Sequence, residues 1–338
     1  MLTVAYIGFG NSVIRYHLPF IKDREYIYVK SVYRRQEDRD LPGEMDREAC
    51  YPNITFTSNL DDILNDLEID LISINTGNDT HAMYAKAALN ANKHVLVEKP
   101  FARSVQEAQE VYDLGRSKGL IVTCNNNRRF DADFLTLKKI VDSKVLGDIV
   151  EIQSHYHYFR FGAQKGPGGR GMIAGLAIHP IDQMVSLFGK PDRIHYDVRA
   201  VLTENGDDDI DIDFFYGKMK FTVKCSVCAK IDFPKFIAHG TRGSFIKNTQ
   251  GHLSAHKTPE PLTVSFDVEP ETNWGTLSYI NQDLKDITEK VPTEITEYGK
   301  IYDNLYDVIN HKAELIVKEE QVLLILKIVE EALESIEG

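Results

Sequence analysis

Between residues 1 and 125, short runs rich in β-branched residues alternate with stretches of helical periodicity, and this alternation restricts the fold more than any other feature of the chain. The β-rich runs fall at 3–7, 26–32, 70–74, 94–97 and 120–124, and helical patterns occupy 60–66, 80–91 and 104–118. Strands alternating with helices form right-handed crossover units on a parallel sheet, with helices covering its faces. Ser104, with Glu107 three residues later, has the spacing of a capping box, and Asp79 or Thr80 is placed to cap the helix before it.

After about residue 149 the pattern changes. Alternating segments at 150–159, 193–201, 210–215, 220–229 and 236–239 follow one another with a helical pattern at 174–187 among them. Such a run predicts a large, mostly antiparallel, open sheet. The stretch 163–171 holds Gly166, Gly168, Gly169 and Gly171 and is expected to be a mobile loop. Two helical patterns, 299–310 and 318–336, close the chain; in the second, Val322, Ile325, Val329 and Leu333 form an apolar stripe. The expected organisation is an α/β N-terminal Rossmann dinucleotide-binding domain over 1–125 and an α+β C-terminal domain over 126–338. The second domain is expected to bind substrate and to oligomerise, with its last helix returning to the first.

Composition narrows the class of partner. The chain has 338 residues and a formal charge of -12, which disfavours nucleic acid and anionic membrane surfaces, both of which need a basic face. No apolar run approaches the ~20 residues that span a bilayer. The first residues run directly into a strand without a basic leader, so a cytoplasmic protein is expected. Cys50, Cys124, Cys225 and Cys228 suit a reducing compartment. The Cys225/Cys228 pair lies in an apparent strand without a second ligand pair, and reads as ordinary core cysteines.

The first β-to-α junction reads Gly8-Phe9-Gly10-Asn11-Ser12-Val13. Gly8 permits a tight turn, Gly10 lets a pyrophosphate approach the backbone, and the following amides face the phosphates. Val13 stands where a third glycine is usual. At the end of the second strand, where a site for NAD places an acid, this chain has Arg34 and Arg35. Two guanidinium groups there suit a 2′-phosphate, so NADP is favoured over NAD.

The segment 92–100 ends a strand in Glu98-Lys99-Pro100, which sets the lysine at the carboxyl edge of a parallel sheet, where ligands bind. With the Gly8 turn, Thr76-Gly77-Asn78-Asp79-Thr80-His81 and Asn127-Arg128-Arg129-Phe130, this segment resembles the Gfo/Idh/MocA oxidoreductases over essentially the whole chain. Finer details, such as Tyr16-His17-Leu18-Pro19 and the segment 231–236, resemble the YhhX-like branch of that family. The resemblance implies an NAD(P)-dependent dehydrogenase acting on the CH-OH group of a sugar, polyol or related compound, and a homodimer or homotetramer. It places Gly8, Gly10, Asn11 and Ser12 on the phosphates, and Thr76, Asn78 and His81 beside the nicotinamide ribose. Glu98, Lys99, Asn127 and Arg128 fall on the cofactor side.

The resemblance also implies that Lys99 moves the proton. His179 and Asp182 match the histidine and last acid of the family's Asp-x-Gly-x-His-x-x-Asp stretch. Here Gly175 replaces the first aspartate of that stretch and Ala177 its glycine. The change puts a two-residue acid relay in doubt and leaves open a non-catalytic dinucleotide sensor on the same fold. The chemistry itself needs a proton donor or acceptor at the reacting oxygen. A buried lysine or a histidine can serve near neutral pH. Lys99 is therefore the expected acid/base, assisted by His179, with Lys99, His179, Asp182 and Arg170 on the substrate. His155 and His157 share one face of a strand without a nearby acid or cysteine, and Asp207-Asp208-Asp209 follows Asn205-Gly206 as in a solvated hairpin turn. No metal is assigned.

Overall fold

The computed structural model describes residues 1–157, 159, 171–202, 206–231, 233–248 and 268–336. Among them the chain divides into two compact units. One comprises residues 1–127 and 297–326; the other comprises the described residues between 128 and 296 together with 327–336.

In the first unit, β1 (Leu2–Ile7), β2 (Ile27–Tyr33), β3 (Thr55–Thr57), β4 (Leu71–Ile74), β5 (His94–Glu98) and β6 (Val122–Asn125) form one sheet. Their order is β3-β2-β1-β4-β5-β6, and every neighbouring pair is parallel. The order reverses between β1 and β4, and a doubly wound sheet opens its ligand crevice at the strand ends there. Val4, Ala5, Tyr6 and Ile7 of β1 and all four residues of β4 are buried, as strands covered by helices on both faces must be. Each such Val, Ile or Leu side chain contributes about 1.5–3 kcal/mol when removed from water.

The helices keep only part of their expected capping. Ser104 Oγ accepts the Glu107 amide at 3.1 Å at the start of helix Val105–Lys118, and Gly119 ends that helix with φ 67°. Glu107 reaches past the cap to accept the Arg103 amide at 3.1 Å. Helix Asn78–Asn90 begins after Gly77, so neither Asp79 nor Thr80 caps it; Thr80 instead donates its hydroxyl to the Gly77 carbonyl at 2.8 Å. The chain after the Gly8–Gly10 turn winds as a wide π-helical stretch, Val13–His17, and then a single α-turn, Leu18–Ile21. The short β3 and the helices Gln36–Arg39 and Glu44–Ala49 have no counterpart in the sequence reading, being too brief to show a period.

The second unit holds β7 (Ile149–His157), β8 (Arg193–Arg199), β9 (Asp209–Tyr216), β10 (Met219–Ser226), β11 (Phe236–Gly240), β12 (Gly243–Lys247), β13 (Gly275–Ile280) and β14 (Asp286–Val291). They form a sheet in the order β14-β13-β12-β11-β7-β10-β9-β8; β7 and β10 pair in parallel and the other neighbours are antiparallel. Ile152, Tyr156, Ile212, Phe214, Phe221, Val223, Phe236 and Phe245 are buried on one face. Alternate positions carry Glu151, Gln153, Lys220 and Lys224 to the other, where Lys220 pairs with Glu151 at 3.0 Å and Lys224 with Asp211.

Two expectations for this unit need correction. Asp207 and Asp208 are buried: Asp207 accepts the Ile173 amide at 2.7 Å, and Asp208 accepts the amides of Val201 and Leu202 at 2.7 and 3.0 Å. Their carboxylates satisfy loop and helix-start amides and do not face solvent. Cys225 is a core residue, but Cys228 is exposed.

Candidate active site

The Gly8 turn sits where β1 ends. Gly8 takes φ +95°, and a Cβ there would lie 2.6 Å from the Asn75 carbonyl oxygen, so both conformation and space demand glycine. Gly10 is the converse: a Cβ there would meet nothing within 4 Å, so its backbone faces open space. Both residues line a cleft of about 520 Å³ in the first unit, together with Phe9, Asn75, Thr76 and Tyr84. Asn75 Oδ1 is buried there without a hydrogen-bond partner. An open glycine backbone and an unmet buried acceptor fit a dinucleotide, whose phosphates accept amides and whose ribose hydroxyls donate.

The two arginines after β2 have different surroundings. Arg34 is buried, and its terminal nitrogens reach Glu48 at 2.7 Å and Glu44 at 2.6 Å. Glu48 also binds Arg39 at 2.8 Å, which makes this an internal ion network. Arg35 is 56% exposed and pairs with Asp38 at 2.8 and 3.0 Å. Both arginines line the cleft, as do Asp38 and Arg47. The Arg34 and Arg47 guanidinium carbons stand 5.7 and 5.6 Å from the Phe9 ring centroid, so Phe9 carries cationic groups over its ring.

Thr76 lines the cleft directly. His81 is fully buried, with Nδ1 2.8 Å from the Pro100 carbonyl and Nε2 3.1 Å from the Thr76 carbonyl. It thereby ties the turn after β4 to the turn after β5. Asn78 opens helix Asn78–Asn90. Glu98 ends β5, and its Oε2 accepts the Lys99 amide at 3.1 Å; the Lys99–Pro100 peptide is cis. Glu98 Oε1 accepts from Ser12 at 2.8 Å and Asn125 at 2.7 Å, and lies 2.8 Å from His17 Nε2. Burial pushes this carboxyl up, but hydrogen bonds from His17, Asn125 and Ser12 outweigh burial and hold it at about 2.

Asn127 is buried at the end of the first unit, and Arg128 begins the second. Arg128 pairs with Asp131 at 3.3 Å, its guanidinium lies 5.7 Å from the Tyr156 ring centroid, and its carbonyl accepts from Gln183 at 2.7 Å. His179 and Asp182 lie one turn apart on helix Ile178–Phe188, both buried. Arg129 grips Asp182 through Nη2 at 2.6 Å and Nε at 3.0 Å. Gly175 lies in the π-helical turn Ile173–Ala177 just before. Arg170 and the loop expected at 163–171, apart from Gly171, lie outside the described residues.

Asn75, Asp38, Arg47 and Tyr84 in the cleft, and His17, Asn125, Tyr302 and Arg129 among the buried partners, are functional candidates that only the structure brings out. Asn125 and Arg129 adjoin residues already singled out, and His17 stands in a quoted motif, so proximity in sequence was the available signal. His155 and His157 do face one another, with ring centroids 5.3 Å apart, and burial pushes His157 down to about 4. Among the described residues, no cluster of three His, Cys, Asp or Glu side chains is placed to hold a metal ion.

Residues 2–126 match a family model described as an oxidoreductase family with an NAD-binding Rossmann fold, and residues 134–246 match the GFO/IDH/MocA C-terminal domain. The chain is 42% identical to the uncharacterized oxidoreductase YhhX of Escherichia coli, over 99% of this chain and 97% of that protein. A solved oxidoreductase from Bacillus cereus superposes with a TM-score of 0.89 at 37% identity, covering 98% of this chain and 95% of that one. The scyllo-inositol 2-dehydrogenase (NADP(+)) IolW of Bacillus subtilis is 28% identical over 99% of this chain and 93% of its own length.

Proposed function

The chain belongs to the Gfo/Idh/MocA oxidoreductase family, and on that premise we propose that it is a dehydrogenase interconverting CH-OH and C=O groups on a sugar, polyol or related small polar compound. The observation that carries this reading is the turn at Gly8 and Gly10 opening on a cleft with a free backbone surface and the unmet acceptor Asn75 Oδ1. When bound, a nicotinamide dinucleotide supplies or accepts the hydride. Gly8, Gly10, Asn11 and Ser12 hold its phosphates, and Thr76 and Asn78 border its ribose. His81 keeps the Thr76 turn in place, and Asn127 and Arg128 complete the cofactor side.

Lys99 donates a proton to the substrate oxygen during reduction and takes it during oxidation, and His179 orients that oxygen or shares the proton. Arg170 is a further substrate contact in this reading. Asp182, held by Arg129, fixes the helix that carries His179 and borders the substrate. We favour NADP over NAD: Arg35 presents an exposed guanidinium at the end of β2, and the relative IolW is an NADP(+) enzyme by name. A small-molecule substrate and a homo-oligomer of two or four chains complete the proposal.

Gly175, in place of the family's aspartate, favours one competing reading, a dinucleotide-binding sensor without turnover. Titration with NADPH and NADH by nicotinamide fluorescence, followed by assays on scyllo-inositol, other polyols and their ketones, separates the two. Binding with turnover that Lys99→Met abolishes supports the dehydrogenase. Binding without turnover across the panel favours the sensor, and binding of neither nucleotide overturns both.

A further inference from the structure

Six side chains spread from position 6 to position 302 meet inside the first unit in one continuous hydrogen-bonded chain. Tyr6 Oη and Tyr302 Oη are 2.8 Å apart, Tyr302 Oη is 2.6 Å from His17 Nδ1, and His17 Nε2 is 2.8 Å from Glu98 Oε1. Ser12 and Asn125 donate to that same Oε1, and the second oxygen of Glu98 accepts the Lys99 amide. Tyr6, His17 and Tyr302 are each at most 1% exposed.

The direction of the chain follows from its acidic end. A carboxylate only accepts, so His17 Nε2 donates to it; with a neutral imidazole, Nδ1 then accepts from Tyr302, which accepts in turn from Tyr6. Every donor then points toward Glu98, an arrangement in which each bond polarises the next. A buried polar chain of this kind is no better for stability than apolar packing of the same volume. What distinguishes it is where it ends: Ser12 in the dinucleotide turn on one side, and the backbone of Lys99 on the other.

We propose that His17, Glu98 and Tyr302 are positioning residues that couple the Gly8–Ser12 turn to Lys99, so that the seat of the cofactor and the seat of the proton donor are set by one largely buried carboxylate. The inference rests on the functional reading above. It assigns Glu98 a role inside the fold, away from the cofactor's surface, and it gives the helix Lys300–His311, remote in sequence, a part in the site through Tyr302.

The test is NADPH affinity of the full chain, read by nicotinamide fluorescence, with a thermal melt of every variant. His17→Leu removes the contacts to Tyr302 and Glu98 and is expected to weaken NADPH about tenfold, the loss expected for one charged hydrogen bond. His17→Gln, which offers a donor and an acceptor, is expected to return affinity to within about threefold of wild type. Ser12→Ala and Tyr302→Phe each remove one hydroxyl, and together they are expected to weaken binding by less than the product of their single effects, as coupled residues do. If His17→Leu does not fold, this second cycle decides alone. Independent effects of Ser12→Ala and Tyr302→Phe, or a His17→Gln no better than a folded His17→Leu, overturn the coupling while wild-type binding leaves the functional reading standing. A wild-type chain that binds neither NADPH nor NADH removes that reading and the coupling with it.

Discussion

Arg129 and Asp182 form a two-point ion pair, Nη2 at 2.6 Å and Nε at 3.0 Å, with both side chains at most 5% exposed. Removing one partner breaks this buried pair. Asp182→Ala is therefore expected to destabilise the protein by about 3–5 kcal/mol, read as a lower denaturation midpoint in guanidinium chloride. Arg129→Met combined with Asp182→Leu is expected to recover most of that loss. An Asp182→Asn variant of wild-type stability that has lost turnover would show that Asp182 acts on the substrate beyond holding Arg129.

Lys99→Met is expected to lower turnover by about 10²–10⁴-fold, the usual contribution of a general acid/base. NADPH affinity should stay close to wild type, because Lys99 acts on the substrate proton in this reading. Steady-state rates and fluorescence titration on the same preparation check both halves. Near-normal turnover removes Lys99 from the mechanism.

Arg35→Ala is expected to weaken NADPH by about tenfold or more, the loss of a charge-assisted phosphate contact, while sparing NADH. Arg34→Ala should behave differently, since Arg34 is committed to Glu44 and Glu48. It is expected to lower the melting temperature and leave the ratio of NADPH to NADH affinity unchanged. The reverse pattern would exchange the two roles.

Glu98 sets an acid limit on stability. Its folded pKa, about 2, lies below the ordinary 4.5, so its contribution is fully present above about pH 4.5 and is lost as pH falls toward 2. The shift corresponds to on the order of 3 kcal/mol. Denaturant midpoints measured from pH 7 down to pH 3 should therefore fall more steeply for wild type than for Glu98→Gln, which has no charge to lose. Parallel curves would show that Glu98 carries no such contribution.

Lys235 lies in the core of the second unit with its ammonium nitrogen 2.6 Å from the Tyr156 ring centroid, and burial drives it toward the neutral amine. Lys235→Met combined with Asp133→Leu, which removes the cation together with the buried carboxylate it offsets, is expected to be neutral to stabilising, by up to about 1–4 kcal/mol as for other buried ionic groups replaced by apolar ones. Chemical denaturation reads the sign. A large loss would mean that the cation–π contact outweighs desolvation.

The parts of the fold that were legible were those governed by local rules. Gly8 announced a backbone conformation other residues avoid, and Ser104 with Glu107 announced a helix start. The alternation of apolar runs announced a sheet covered on both faces. The site was less legible because its partners are joined only by folding. Arg34 looks like a phosphate ligand until a short helix brings Glu44 and Glu48 against it. Asp207 and Asp208 follow a turn signal, yet loop amides draw them inside. Nothing between position 17 and position 302 foretells that His17 and Tyr302 touch.

The path of the chain has a consequence for how the protein is made. Among the described residues it leaves the first unit after Asn127 and comes back at Glu297, bringing Tyr302 to its place beside Tyr6 and His17. On the ribosome, the nucleotide-binding half therefore emerges first but is completed near the end of synthesis, once the second sheet has been translated. A fragment cut after the last parallel strand would hold every glycine of the phosphate turn and still lack Tyr302. Of the described residues, a minimal version needs 297–326 as well as 1–127.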